Sequence, residues 1–89
     1  MQEFRIPTHV TFTFFNESAV LLDSRKNAYY ALNESAADFW QLLSQMGSYE
    51  KALQKMVESY DNSDDAITQD MEELVNSLVK SGLLEKVSN

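Results

Sequence analysis

The chain has 89 residues, 44% of them hydrophobic and 24% charged, which fits one ordinary globular domain and leaves no room for a second. Its 14 acidic against 7 basic side chains give a formal charge of −7, and because phosphate backbones are bound chiefly by lysine and arginine, nucleic acid is a poor partner. The absence of cysteine removes disulfides, thiolate metal sites and cysteine nucleophiles together and is compatible with a reducing compartment.

The first residues, "MQEFRIPTHVTFTFF", lack a basic start followed by a continuous apolar stretch, so they do not read as a signal peptide. No apolar run approaches bilayer-spanning length, and the expected location is the cytoplasm. "VTFTFF" (residues 10–15) alternates apolar residues and threonine with the period of a half-buried strand. "AVLLD" (19–23) and "AYYAL" (28–32) follow, joined by the short links "NES" and "SRKN". Strands in series with tight links predict an antiparallel meander.

At Asn33 the period changes. Its side chain can accept the free amides of a helix beginning at Glu34, in which Ala36, Phe39, Trp40, Leu43 and Met46 recur at helical spacing up to Gly47. Ser48 can cap a second helix carrying Ala52, Leu53, Met56, Val57 and Tyr60. After "DNSDD", a third helix carries Ile67, Met71, Leu74, Val75, Leu78 and Val79 against an outer face of Gln69, Glu72, Glu73, Asn76 and Lys80. Gly82 can close it, and "LLEKV" can form a short extended tail packed back on the domain. The fold class expected is α+β: a three-stranded antiparallel sheet followed by three helices.

Nothing in this order reads as catalytic. His9 is the only histidine and has no nucleophile or orienting carboxylate that the sequence places beside it; it reads as an exposed residue preceding a strand. Asp61, Ser63, Asp65 and Glu72 fall at positions of a calcium-loop pattern, but Ala66 stands where the sharp turn requires glycine. An acidic turn in which Ser63 or Asp64 caps the third helix explains the same residues. No metal or cofactor is expected. Phe39 and Trp40 read as core.

Tyr29 and Tyr30 are adjacent strand residues and must face opposite ways. With Leu32 directed inward at the strand–helix junction, Tyr30 shares its side, while Tyr29 and Ala31 take the other. A third strand that ends a meander offers unpaired backbone groups, and "NAYYAL" has no lysine or proline to discourage pairing. A partner strand or the chain's own tail could cover that edge.

"VLLDSRKNAYYALNESAADFWQLL" followed by "MVESYDNSDDAITQDMEELVNSLVKSGLL" resembles the PqqD-like proteins, also called RiPP recognition elements. The matching residues are Leu21, Leu22 and Asp23; Tyr29, Tyr30, Leu32 and Asn33; Trp40; Tyr60; Asp70; Leu78; and Gly82 to Leu84, within residues 20–84. The resemblance implies one winged-helix-like domain over residues 1–89 that binds the leader of a ribosomally made precursor peptide, the leader adding a strand to the third strand and packing on the third helix. Carried over by position, the binding residues are Ala28, Tyr29, Tyr30, Ala31 and Leu32 with Asp70, Met71, Leu74 and Leu78. Tyr29 is the tyrosine expected to line the groove, and Asp70 either meets a polar or basic leader group or caps and pairs locally within the domain. The implied role is non-catalytic presentation of the leader to a processing enzyme. That enzyme is expected to be the leader peptidase of a lasso-peptide pathway, with delivery to a radical-SAM enzyme, or a winged-helix interaction domain, as the alternatives.

Overall fold

Two tight hairpins build the main sheet of the protein, a computed structural model that describes residues 3–60 and 64–87. β1 is Glu3–Arg5, β2 Val10–Phe15, β3 Ser18–Asp23 and β4 Ala28–Leu32; α1 is Glu34–Met46, α2 Tyr49–Ser59 and α3 Asp64–Lys80; β5 is Glu85–Val87. The turn between β2 and β3 needs a positive φ, supplied by Asn16 at 55°, and Asn27 at 53° does the same before β4. Asparagine tolerates this left-handed region better than most residues. β2, β3 and β4 pair antiparallel in sequence order, with Phe12 opposite Leu21 and Leu21 opposite Tyr30. The helices follow, so the expected α+β order is the observed one.

The buried carboxylate of Asp23 shapes the second hairpin. Its Oδ1 accepts the backbone N–H groups of Arg25 at 2.9 Å and Lys26 at 3.2 Å. Burial pulls this carboxyl upward, but those two amides, with His9 and Lys26 nearby, hold it below the ordinary aspartate value. The same turn is anchored twice more. Ser24 donates from both its N–H and its hydroxyl to the His9 carbonyl, and Lys26 Nζ reaches the Ser81 carbonyl at 3.1 Å.

Period-two alternation puts Ala19, Leu21 and Leu32 on the face that the helices cover, each 3% exposed or less. Phe39, Trp40 and Leu43 of α1, Ala52 and Met56 of α2, and Met71, Val75 and Leu78 of α3 complete the core. The expected caps form. Asn33 Oδ1 accepts from the Ala36 amide at 2.9 Å, Gly47 sits at φ 70° with its N–H on the Leu43 carbonyl, and Ser48 Oγ accepts from Lys51 at 3.4 Å. At the end of α3, Gly82 takes φ 80° and Leu83 donates back to the Leu78 carbonyl at 2.8 Å, which turns Leu83 and Leu84 into the core.

The tail does more than pack. β5 pairs antiparallel with β1, with Phe4 opposite Lys86, forming a second, two-stranded sheet. The Phe4 N–H also bonds the Gly47 carbonyl at 3.0 Å, so β1 is wedged between the tail and the α1–α2 turn. Of the two expected caps of α3, Ser63 lies outside the described residues, as does Asp61 of the calcium-loop pattern, and Asp64 is the first residue of the helix itself. Among the described residues no group of three or more acidic or histidine side chains could hold a metal ion, and no helix is long and apolar enough to cross a membrane.

Candidate functional site

β4 is an edge strand. Among the described residues it pairs with β3 and no other strand, because the tail has gone to β1 instead. Beside it, between the β4–α1 junction and α3, lies an open cleft of about 300 Å³ lined by Tyr30, Asn33, Ser35, Ala36, Asp70, Met71, Glu73, Leu74 and Ser77. Its base is apolar: Ala36 and Met71 are buried, and Tyr30 and Leu74 are half-buried against the core. The rim is polar, with Asp70, Glu73 and Ser77 exposed on one side and Asn33 on the other.

The sequence-predicted residues divide by face. Tyr30 lines the cleft, whereas Tyr29 is 74% exposed and lies with Ala31 on the side of the sheet away from the helices. The expectation that Tyr29 lines the groove therefore gives way to Tyr30. The parity was read correctly, but α3 packs on the same side of the sheet as α1, so the groove belongs to the face of Leu32. Tyr30 remains half-open there because β4 is an edge. Ala28 is exposed, and Leu32 is core, as is Leu78, fully buried beneath the cleft and not on its wall. Met71 reaches the cleft, and Leu74 is its main partly open apolar wall.

Asp70 sits mid-helix, so it caps nothing, and among the described residues it has no cationic partner. Sequence reasoning missed Glu73 and Ser77 as lining residues, although they follow Asp70 at three and seven along one helix face. It also gave Asn33, Ser35 and Ala36 only a helix-start role. Their place on the wall follows from the turn between β4 and α1, which points the first turn of α1 toward α3.

An acidic corner adjoins the cleft at Asn33 and Ser35, where a second concavity of about 280 Å³ is also lined by Glu34 and Tyr60. The carboxyl of Glu34 is raised, chiefly by the charge of Glu17 beside it. Tyr60 Oη donates to Asp38 Oδ2 at 2.6 Å. This bond, with some burial, pushes the phenol up to about 12.

Among the described residues, no helix covers the outer face of the sheet. Register places Leu22 beside Tyr29, and Val20 between Thr13 and Ala31; Phe15, 54% exposed, continues the same face at the β2–β3 turn. On the covered face at the far edge, Phe12 packs edge-on against Trp40 with centroids 5.6 Å apart, and Trp40 is 1% exposed, as a core residue should be. Another concavity, of about 270 Å³, lies under β1 between Phe4, Trp40, Leu43 and Leu84, away from the β4 edge.

His9 Nε2 stands 4.0 Å from Asp23 Oδ2, but the neighbouring Ser24 hydroxyl is committed to the His9 main-chain carbonyl. His9, expected to be exposed, is half-buried; the group is a turn anchor, and among the described residues no nucleophile hydrogen-bonds its Nε2. On α3, exposed Asp70, Glu72 and Glu73 face outward with Lys80 at the C-terminal end, a surface that repels phosphate.

An α+β domain with an open sheet edge beside an apolar-based cleft has the elements that strand addition uses in other proteins. The family model described as "Coenzyme PQQ synthesis protein D (PqqD)" matches residues 18–84, and the chain belongs to that family. A search of curated proteins gives no match. Among solved structures, the chain is similar to one described as TbiB1 in complex with the TbiA(beta) leader peptide, with a TM-score of 0.86, 20% identity, and coverage of 96% of this chain and 99% of that one. It is also similar to a lasso peptide synthetase B1 complexed with the leader peptide, with a TM-score of 0.82, 29% identity, and coverage of 93% and 98%.

Proposed function

We propose that this protein is a non-catalytic recognition element that binds the leader of a ribosomally made precursor peptide and presents it to a processing enzyme. The observation that carries the reading is the open β4 edge beside the β4–α3 cleft. An extended peptide added to β4 gains main-chain hydrogen bonds irrespective of its sequence, while Tyr30, Met71 and Leu74 select its side chains. That both similar solved structures hold a leader peptide supports the assignment.

The processing enzyme fits the other face. With a leader in the cleft, the outer face stays open next to the strand that holds the leader: Tyr29 and Phe15 are exposed there, and Leu22 and Val20 are half-buried beside Thr11 and Thr13. A bound leader and a docked enzyme would then share one small sheet. The effective concentration of the scissile or modified segment rises without chemistry by this protein. The two lasso-pathway neighbours favour a leader peptidase as that enzyme; the family description keeps delivery to a quinone-cofactor enzyme as the second reading.

The test is an amide-resolved NMR titration with the leader segments of precursor peptides encoded beside the gene. Shifts confined to β4, the start of α1 and the Asp70 to Ser77 side of α3 support the assignment. Saturating leader that moves none of these amides refutes it.

A further inference from the structure

The cleft has a charge pattern that restricts what it accepts. Asp70 and Glu73 stand one turn apart on its α3 wall, both exposed. The ion pairs among the described residues are Arg5 with Glu85, His9 with Asp23 and Lys55 with Glu58, so neither wall carboxylate has a cation of its own. Among the described residues, no lysine or arginine lines the cleft or the adjoining corner. In that corner Glu34 is already crowded by Glu17 and Asp38. An occupant bringing positive charge relieves this crowding, and an acidic one adds to it.

The geometry points to a leader with a lysine or arginine that meets Asp70 and Glu73, two positions along from an apolar residue seated on Tyr30 and Leu74. This rests on the reading of the cleft as the leader site and adds the chemistry of its ligand. The spacing comes from the strand itself: in an extended peptide, residues two apart share a face, so one side chain enters the apolar base while its same-face neighbour reaches the rim. The net charge of −7 would draw any basic peptide weakly, and salt screens such long-range attraction. Recognition at the rim differs in being local to two side chains.

The probe is a displayed library of short random peptides, selected on the full chain, with the selected peptides mapped by NMR and then resynthesised with their basic residue changed to glutamate. The exchange is expected to weaken binding about ten-fold or more in the native protein, and by less than about two-fold in the Asp70→Asn, Glu73→Gln double variant. A control with Glu3→Gln and Glu58→Gln, which changes net charge equally at exposed positions away from the cleft, should keep the native preference. Peptides that shift β4 and α3 amides but show no basic residue at this spacing, or whose charge preference survives in the double variant, overturn the inference and leave the leader site standing. Selected peptides that bind elsewhere on the protein overturn both.

Discussion

Replacing Asn33 by alanine tests how far the binding edge depends on one helix cap. Asn33 follows β4 directly; its Oδ1 accepts the Ala36 amide at 2.9 Å and is shared by the Ser35 hydroxyl at 3.3 Å. Alanine leaves that amide without its acceptor at the start of a helix that buries Ala36, Ala37, Phe39, Trp40 and Leu43. Loss of such a cap costs about 1 kcal/mol. For a domain of this size that is a fall of about 4–8 °C in melting temperature. Asn33→Ser keeps a capping oxygen and should recover most of the loss, which separates the cap from any effect of altering the cleft wall. Circular dichroism melts of the two variants and the native chain give the answer. An Asn33→Ala melt within about 1 °C of native, or a serine variant as unstable as the alanine one, refutes the cap argument.

The two tyrosines of β4 should separate by face. Tyr30→Ser weakens leader binding about ten-fold by calorimetry, while Tyr29→Ser leaves affinity within about two-fold and slows processing by the partner enzyme in a coupled cleavage assay. Tyr60 should ionise above the ordinary tyrosine range. Its folded value of about 12 lies above the ordinary tyrosine value of 10.0, so its contribution to stability is complete below the unfolded value and is lost as pH rises through the folded one. Asp38→Asn should bring its phenolate absorbance step down toward the ordinary tyrosine range. Glu34 is raised above 4.5 by Glu17, so the crowding is absent in acid and grows as pH rises through the folded value of Glu34. Glu17→Gln should therefore raise the melting temperature at neutral pH, with the gain vanishing below the unfolded glutamate value.

Local signals made most of the fold legible. The alternation in "VTFTFF", Asn33 and Ser48 as caps, and Gly47 and Gly82 as left-handed closures are each decided by neighbours a few residues away. β1 was not legible, because "EFR" is too short to show a period and its partners, Lys86 and the Gly47 carbonyl, lie far along the chain. The Asp23 turn anchor was hidden for a related reason: an aspartate ending a strand reads as polar surface until burial shows its carboxylate turned in on the Arg25 and Lys26 amides. At the cleft, strand parity sorted Tyr29 from Tyr30 but could not say on which side α3 lies. That is a matter of packing, and it decides which tyrosine lines the cleft.

The pairing of β1 with β5 also sets an order of assembly. Phe4 opposite Lys86 joins nearly the whole described chain into one loop, and contacts of such separation are the slowest to be gained in folding. During synthesis the meander and the three helices leave the ribosome before β5 does, so this clasp is the final piece to close. None of the residues that line the cleft beside β4 belongs to this clasp.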